Sequence, residues 1–405
     1  MGKKERYMVA LDIGSTKTCA LVGELDEDVA KFVALGATES KGLRKGLIVN
    51  LDAAVSSIRR AVEVAESVAG VPVEEAIVGV AGAHVRGVNS RGGISLGGRA
   101  REVQRDDLRR AVDAARAISL PEDREVLHVL PQEFFLDSQD SIREPTGMMG
   151  QKLEANVHLV TTSAAATQNI ISAVNRAGVV VSDTALEPLA SAEACLLQDE
   201  REMGCCLLDV GGGTTELIVY TGGVVRHTAA IPVGGDHFTN DLAVGLRTPI
   251  PEAEKIKREH AIAWREMLQE DTAIEIASVG DRPPRTVYAR MLADIVEPRA
   301  QELLALVRDE LKRAGLDTQI PAGLVLTGGA AKLRGFAELA ERMFALPVRV
   351  GSPRGLEGMS EEVSQPEYST VVGLLVYAAR ARRLLPRGGA AGSIGAKLKS
   401  LFAGG

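Results

Sequence analysis

Aromatic residues make up only 3% of this 405-residue chain, with a single tryptophan, so its core must be built from Val, Leu, Ala and Ile. Cysteine is scarce as well. Cys19, Cys195, Cys205 and Cys206 have neither metal-ligand spacing nor a disulfide framework, which excludes a zinc module and a disulfide-stapled secreted domain. Three of them lie in or beside apolar runs and read as reduced core residues of a cytosolic protein. No run approaches the roughly 18 apolar residues of a membrane-spanning helix, so any membrane contact is expected to be peripheral. The first residues, Met1 to Arg6, pass directly into a strand pattern without the apolar stretch of a signal peptide, so export is not expected. The net charge of −7 disfavours a general nucleic-acid binder.

What is present is a duplication. An apolar run ends in Asp-x-Gly, turns through small residues to Thr, and continues as apolar strand at Asp12-Ile13-Gly14-Ser15-Thr16-Lys17 and again at Asp209-Val210-Gly211-Gly212-Gly213-Thr214-Thr215. A Walker A loop and a dinucleotide-binding loop both lead from a strand into a helix, whereas here strand leads into strand. Two such hairpins, with backbone N–H groups and hydroxyls facing one cleft, suit the two ends of a polyphosphate, and the glycines let the backbone come close. Asp12 and Asp209 would hold Mg²⁺ largely through water, because Mg²⁺ is bound by few carboxylates and keeps much of its hydration shell.

The length fits two domains, and the pattern around each hairpin is α/β. After the first hairpin come a strand at 32–37, a turn from Gly42 to Gly46, a helix with Asp52 as its cap running to Gly70, and a buried strand at 76–81. From about His84 to Val160 the texture changes to glycine-rich stretches, one charged helix (105–118) and strands at 125–130, 133–137 and 156–161, which reads as an insertion. Helix 164–177, strand 178–185 and a helix at 189–197 lead to the second hairpin. Strand 224–232 ends in Val233-Gly234-Gly235 and is followed by helices at 236–244, 249–263 and 286–314, the last containing Pro298. Strand 323–327 opens through Gly328-Gly329-Ala330-Ala331 towards a helix at 335–344. A last folded helix follows Pro366, and its small residues Gly373, Ala378 and Ala379 allow close packing.

The end of the chain is chemically distinct. From Arg380 to Gly405 there are six basic residues and no acid, although the chain as a whole is acidic. Beyond a linker at 384–392, Ile394, Leu398, Leu401 and Phe402 form one helical stripe beside Lys397 and Lys399. This amphipathic helix suits an anionic lipid surface, with docking on the protein body as the alternative. At about 2 kcal/mol for each large apolar side chain, offset by ordering the segment, a single copy binds weakly.

Together these motifs, with Leu-Thr-Gly-Gly-Ala-Ala (326–331) and Tyr-Ser-Thr-Val-Val-Gly (368–373), resemble the actin, Hsp70 and sugar-kinase superfamily, and within it the FtsA family of bacterial cell-division proteins. The resemblance implies an actin-like fold of two ribonuclease-H-like halves with an inserted subdomain, called 1C. Residues 1–83, 164–200 and 366–383 would form subdomain 1A and 84–163 subdomain 1C. Residues 201–235 with 315–365 would form 2A, and 236–314 would form 2B, followed by the linker and the membrane-targeting helix at 393–405. It implies ATP and Mg²⁺ as ligands. Gly14, Ser15, Thr16, Lys17 and Gly211 to Thr215 would then meet phosphates, and Gly234 and Gly235 would also contact the nucleotide. Gly328, Gly329 and Ala330 would approach adenosine, and Glu254, Lys257 and Arg258 would lie near ribose and base.

The resemblance further implies self-assembly into filaments and binding of the C-terminal peptide of the tubulin-like FtsZ, for which Arg285 and Arg299 are the candidates. It implies contact of 1C with other division proteins, and a place on the cytoplasmic face of the membrane at the division site. No residue declares itself as a hydrolytic base; Glu187 and Glu216 are the nearest carboxylates by position, so slow hydrolysis at most is expected. A small-molecule kinase would have no need of the basic terminal helix, and an Hsp70-type chaperone would require a further domain. A pilus-assembly protein of the PilM kind shares the architecture but not that helix.

Overall fold

The computed structural model describes residues 7–26, 29–280 and 282–384. Leu384, where the linker was expected to begin, still belongs to the last helix, and the rest of the linker and the terminal helix, with Ile394, Lys397, Leu398, Lys399, Leu401 and Phe402, lie outside the described residues.

The first half opens with strands β1 (Tyr7–Ile13), β2 (Lys17–Asp26) and β3 (Val29–Glu39) in an antiparallel meander. Helix α1 (Leu51–Ala69) crosses over and β4 (Glu75–Val80) returns parallel to β1. Asn50 caps α1, its side-chain oxygen accepting from the Ala53 N–H at 3.0 Å; the expected cap Asp52 sits inside the first turn, where it still favours the helix dipole. Gly70 ends the helix in the left-handed conformation, where it carries no Cβ penalty. The buried stripe Val55, Ile58, Ala61, Val62 and Ala65 recurs at helical spacing, and Gly36 in β3 lets it seat, since a Cβ there would lie 1.9 Å from the Ala61 carbonyl oxygen.

The insertion follows β4 as β5 (Arg86–Ser95), α2 (Arg105–Arg116), β6 (Arg124–Leu136) and β7 (Lys152–Ser163), with α2 packed on a sheet in which β7 lies between β5 and β6. Two differences from the sequence reading have local causes. Strand β5 is a polar edge strand with too little alternation to be recognised, and its Gly92 accepts α2 so closely that a Cβ would fall 2.1 Å from the Ala115 nitrogen. The two strands expected at 125–130 and 133–137 are one, because Pro131 sits at a register shift opposite Val157, where no ladder N–H is needed.

Helix α3 (Ala164–Arg176), β8 (Val180–Leu186) parallel to β4, and α4 (Glu187–Cys195) complete the first half. The second half repeats the plan. Strands β9 (Cys205–Val210), β10 (Thr215–Thr221) and β11 (Val224–Ile231) form the meander, followed by helices α5 (Gly235–Gly245) and α6 (Ile250–His260). A two-stranded ribbon, β12 (Ala273–Ile276) and β13 (Arg285–Tyr288), then precedes α7 (Ala289–Arg313). The ribbon was not anticipated, and it takes the residues expected to open the long helix. Pro298 lies within α7. Strand β14 (Leu324–Thr327) runs parallel to β9, α8 (Phe336–Phe344) and β15 (Val348–Val350) follow, and α9 (Ser369–Leu384) closes the described chain.

The sheet orders are β8-β4-β1-β2-β3 and β11-β10-β9-β14-β15, the same connectivity twice. Between the two sheets lie α4 and α9, and one apolar cluster runs through all four layers, from Leu21 and Ile77 through Leu189 and Leu375 to Leu207 and Ile218. The two helices cross at Gly373, where a Cβ would stand 1.9 Å from the Ala190 carbonyl oxygen.

Candidate functional site

The two hairpin turns close in the same way. The Gly14 N–H donates to the Lys17 carbonyl at 3.0 Å, and the Gly211 N–H donates to the Thr214 carbonyl at 3.0 Å. Their tips meet face to face: a Cβ on Gly212 would lie 1.9 Å from Thr16 Oγ1, and one on Gly213 2.9 Å from Ser15 Oγ. Glycine lets the tips come this close, and bare backbone at such a joint can offer N–H groups to an anion. Both hairpins open on one cleft of about 600 Å³, within the range of small-molecule and cofactor sites. Opposite walls come from Glu254 and Lys257 of α6 and from the turn Gly328-Gly329-Ala330, which begins a short 3₁₀ helix after β14. Gly328 has φ +83°, and a Cβ on it would fall 2.4 Å from Asp209 Oδ1.

Four carboxyl groups line this cleft: Asp12, Asp209 and Glu216, which are buried, and Glu187, which is half-buried. Burial raises Asp12 to about 7, with Lys17 pulling it down and Asp209 pushing it up. Burial likewise raises Glu216 to about 8, and its Oε1 is buried with no hydrogen-bond partner. Glu187 stands well above its ordinary value through burial and the repulsion of the other three. Asp209 is raised by burial but opposed by two donors, Ser191 Oγ at 2.6 Å and Thr370 Oγ1 at 3.0 Å. Acidic groups that raise one another's proton affinity, one of them carrying an orphaned oxygen, suit a hydrated cation beside the hairpins. Among the described residues there is no cluster of three side chains able to ligate a metal directly, so Asp12 and Asp209 would hold Mg²⁺ with water completing its shell.

Most of the residues expected at the phosphate end do converge: Gly14, Ser15, Thr16, Lys17, Gly211, Gly212, Gly213, Thr214 and Gly235 all border the cleft. Two do not. Thr215 is fully buried and donates to the Val233 carbonyl at 2.8 Å, so its hydroxyl ties the hairpin to the end of β11 instead of facing the cleft. Gly234 lies behind the second hairpin, where a Cβ would be 2.6 Å from the carbonyl oxygens of both Gly211 and Gly212. Its neighbours bind the loop from beneath, Gly235 N–H to the Gly211 carbonyl and Asp236 N–H to the Gly212 carbonyl, both at 2.8 Å.

On the opposite wall, Lys257 bonds Glu254 at 2.7 Å and the Gly235 carbonyl at 3.1 Å, which fixes α6 against the start of α5. Arg258 pairs with the other oxygen of Glu254 at 2.6 Å. Lys17 donates to the Glu367 carbonyl at 2.8 Å and stands 3.5 Å above the Tyr368 ring. Sequence reasoning missed Ser191, Glu367 and Thr370. Thr370 is 161 residues from Asp209 in the chain, and no local pattern reports that contact.

The two arginine candidates lie on the ribbon and on α7. Arg285 donates to the Leu246 carbonyl. Arg299 chelates Asp241 at 2.7 and 3.1 Å and also pairs with Glu302, so its guanidinium is committed within the subdomain and is not the free fork that was expected.

Two ribonuclease-H-like sheets, each carrying one glycine hairpin at a shared cleft, define an actin-like protein. Solved structures with this fold include the PilM–PilN type IV pilus biogenesis complex (TM-score 0.66, 18% identity, 94% of this chain and 99% of that one). Another is MreB5 of Spiroplasma citri bound to AMPPNP (TM-score 0.57, 14% identity, 93% and 97%). Within that class, the chain belongs to the FtsA family. It is 48% identical to cell division protein FtsA of Pseudomonas aeruginosa over 92% of this chain and 89% of that protein. It is 38% identical to that of Escherichia coli K12 over 92% and 90%. Residues 206–373 match the family model for cell division protein FtsA, and residues 82–161 match the SHS2 domain inserted in it.

Proposed function

We propose that this cell-division protein binds Mg-ATP between its two halves and uses it to assemble into actin-like filaments on the cytoplasmic face of the membrane. There it tethers FtsZ through the subdomain at 236–314 and other division proteins through the insertion. The observation that carries the reading is the pair of hairpins closed alike and meeting across the cleft, where an added Cβ at Gly212 or Gly213 would collide with the opposite tip. When bound, Mg²⁺ neutralises phosphate charge. The chain's own residues present backbone N–H groups to the phosphates and keep Asp209 oriented through Ser191 and Thr370. Glu187 and Glu216, which border the cleft, are the candidates to orient water at a terminal phosphate, with slow hydrolysis at most. Arg285 offers the more accessible cation for an acidic FtsZ peptide, and the basic terminal helix supplies the lipid contact.

With Mg-ATP, the full chain is expected to sediment with anionic vesicles and carry an FtsZ C-terminal peptide down with it. Asp209→Ala should lose ATP binding by calorimetry, and removal of Gly392 to Gly405 should leave the protein in the supernatant. Unchanged ATP affinity in Asp209→Ala would sink the cleft assignment, and vesicle binding by the truncated chain would sink the anchor.

A further inference from the structure

A third element touches both hairpins. Leu43–Arg44 and Leu47–Ile48 pair as a tiny ribbon whose two-residue turn is Lys45-Gly46, with φ +52° and +75°. Turns with two left-handed residues favour Asn, Asp or Gly at the first position, and lysine there is strained. That strain sits at a crowded joint. The Gly46 N–H points at Ser15 Oγ of the first hairpin at 3.4 Å, and a Cβ on Gly213 of the second hairpin would lie 3.2 Å from the Lys45 nitrogen and Cα. The turn also packs on the entrance to the insertion. A Cβ on Gly46 would be 2.5 Å from the Ala81 carbonyl oxygen, and one on Gly82 would be 2.9 Å from the Lys45 carbonyl oxygen.

Three lysines line the cleft and all are engaged, whereas Lys45 stands just outside the lining, next to Gly46, which belongs to it. Lys17 is held by the Glu367 carbonyl and the Tyr368 ring, Lys257 by Glu254, and Lys332 by Glu367 at 3.1 Å. No hydrogen bond or ion pair engages the half-buried Lys45 among the described residues. A free ammonium on a flexible stem, whose backbone packs against both hairpins, has the length to swing towards a charge that arrives with a ligand at their tips.

We propose that Lys45 contacts the terminal phosphate of a bound nucleoside triphosphate and sets the preference for triphosphate over diphosphate. The Lys45-Gly46 turn then transmits that contact to Ala81 and Gly82, where the insertion begins. The proposal rests on the nucleotide reading of the cleft. Calorimetry with Mg-ATP and Mg-ADP on the full chain and on Lys45→Gln and Lys45→Arg tests it.

The wild type should prefer ATP by about tenfold, the factor that one charge-assisted contact supplies. Lys45→Gln should lose that preference with little change in ADP affinity, and Lys45→Arg should keep it. A preference retained in Lys45→Gln overturns the proposal. So does an equal fall for both nucleotides, or loss in Lys45→Arg as well, either of which assigns the turn to mere support of the hairpins. A wild type that binds both nucleotides equally overturns the proposal while leaving the cleft reading intact, whereas one that binds neither removes the cleft reading itself.

Discussion

Gly234→Ala separates the architecture of the second hairpin from its chemistry, because Gly234 touches no ligand position. Its backbone is extended, at φ −159°, so alanine meets no torsional objection. The objection is steric: the new methyl would stand 2.6 Å from two carbonyl oxygens and 2.9 Å from the Gly212 carbonyl carbon, all of them backbone and unable to rotate aside. Relief requires the hairpin to lift, which strains or breaks the bonds from Gly235 and Asp236 to the Gly211 and Gly212 carbonyls. Overpacking costs about 1–3 kcal/mol and each of the two weakened hydrogen bonds about 0.5–1.5 kcal/mol, so a loss of roughly 2–6 kcal/mol is expected in the state that holds the hairpin in place. Part of that appears as a lower unfolding temperature. The rest appears as weaker ATP binding, by about tenfold or more, because the displaced loop must be pushed back by the ligand. The control is Gly98→Ala, where a Cβ meets nothing within 4 Å. Calorimetry and thermal unfolding on the three proteins decide the matter. If Gly234→Ala matches Gly98→Ala in both, the close packing beneath the hairpin carries no function.

Two further outcomes follow from burial. In the folded chain Asp12 and Glu216 keep their protons up to about 7 and about 8, whereas unfolded they release them near 3.8 and 4.5. The folded state therefore binds more protons across that window, and stability of the nucleotide-free protein should fall from about pH 5 to pH 8, by at most a few kcal/mol. Urea unfolding across this range checks the sign, and a midpoint that rises with pH would contradict it. Gly373→Ala should destabilise by about 1–3 kcal/mol, since its methyl would meet the Ala190 carbonyl oxygen at 1.9 Å, where α4 and α9 cross between the halves. An unchanged urea midpoint would mean that the helices can part without cost.

Much of this protein was legible in its sequence, because the decisive signals are local. The twin Asp-x-Gly hairpins, the helical stripe of α1 and the parallel β14 with its Gly-Gly exit each depend on residues a few positions apart. The readings that failed depended on distant or weakly patterned partners. Thr215 looked like a phosphate ligand until the Val233 carbonyl, 18 residues on, claimed its hydroxyl. The ribbon of β12 and β13 is only four residues on each side, too short to show a period. Arg299 read as a free fork because Asp241, 58 residues earlier, gives no sequence sign that it will pair with it.

By itself, the sequence determined the duplicated α/β plan, the two phosphate-type hairpins and the chemically separate basic end, since strand period, turn chemistry and charge are written within short stretches of chain. Only the tertiary structure decided that the hairpins meet tip to tip, that Asp209 is held by hydroxyls from α4 and α9, and that Lys45 stands unpaired at their joint. Those facts arise from packing between halves, where residues more than a hundred positions apart compete for the same few ångströms.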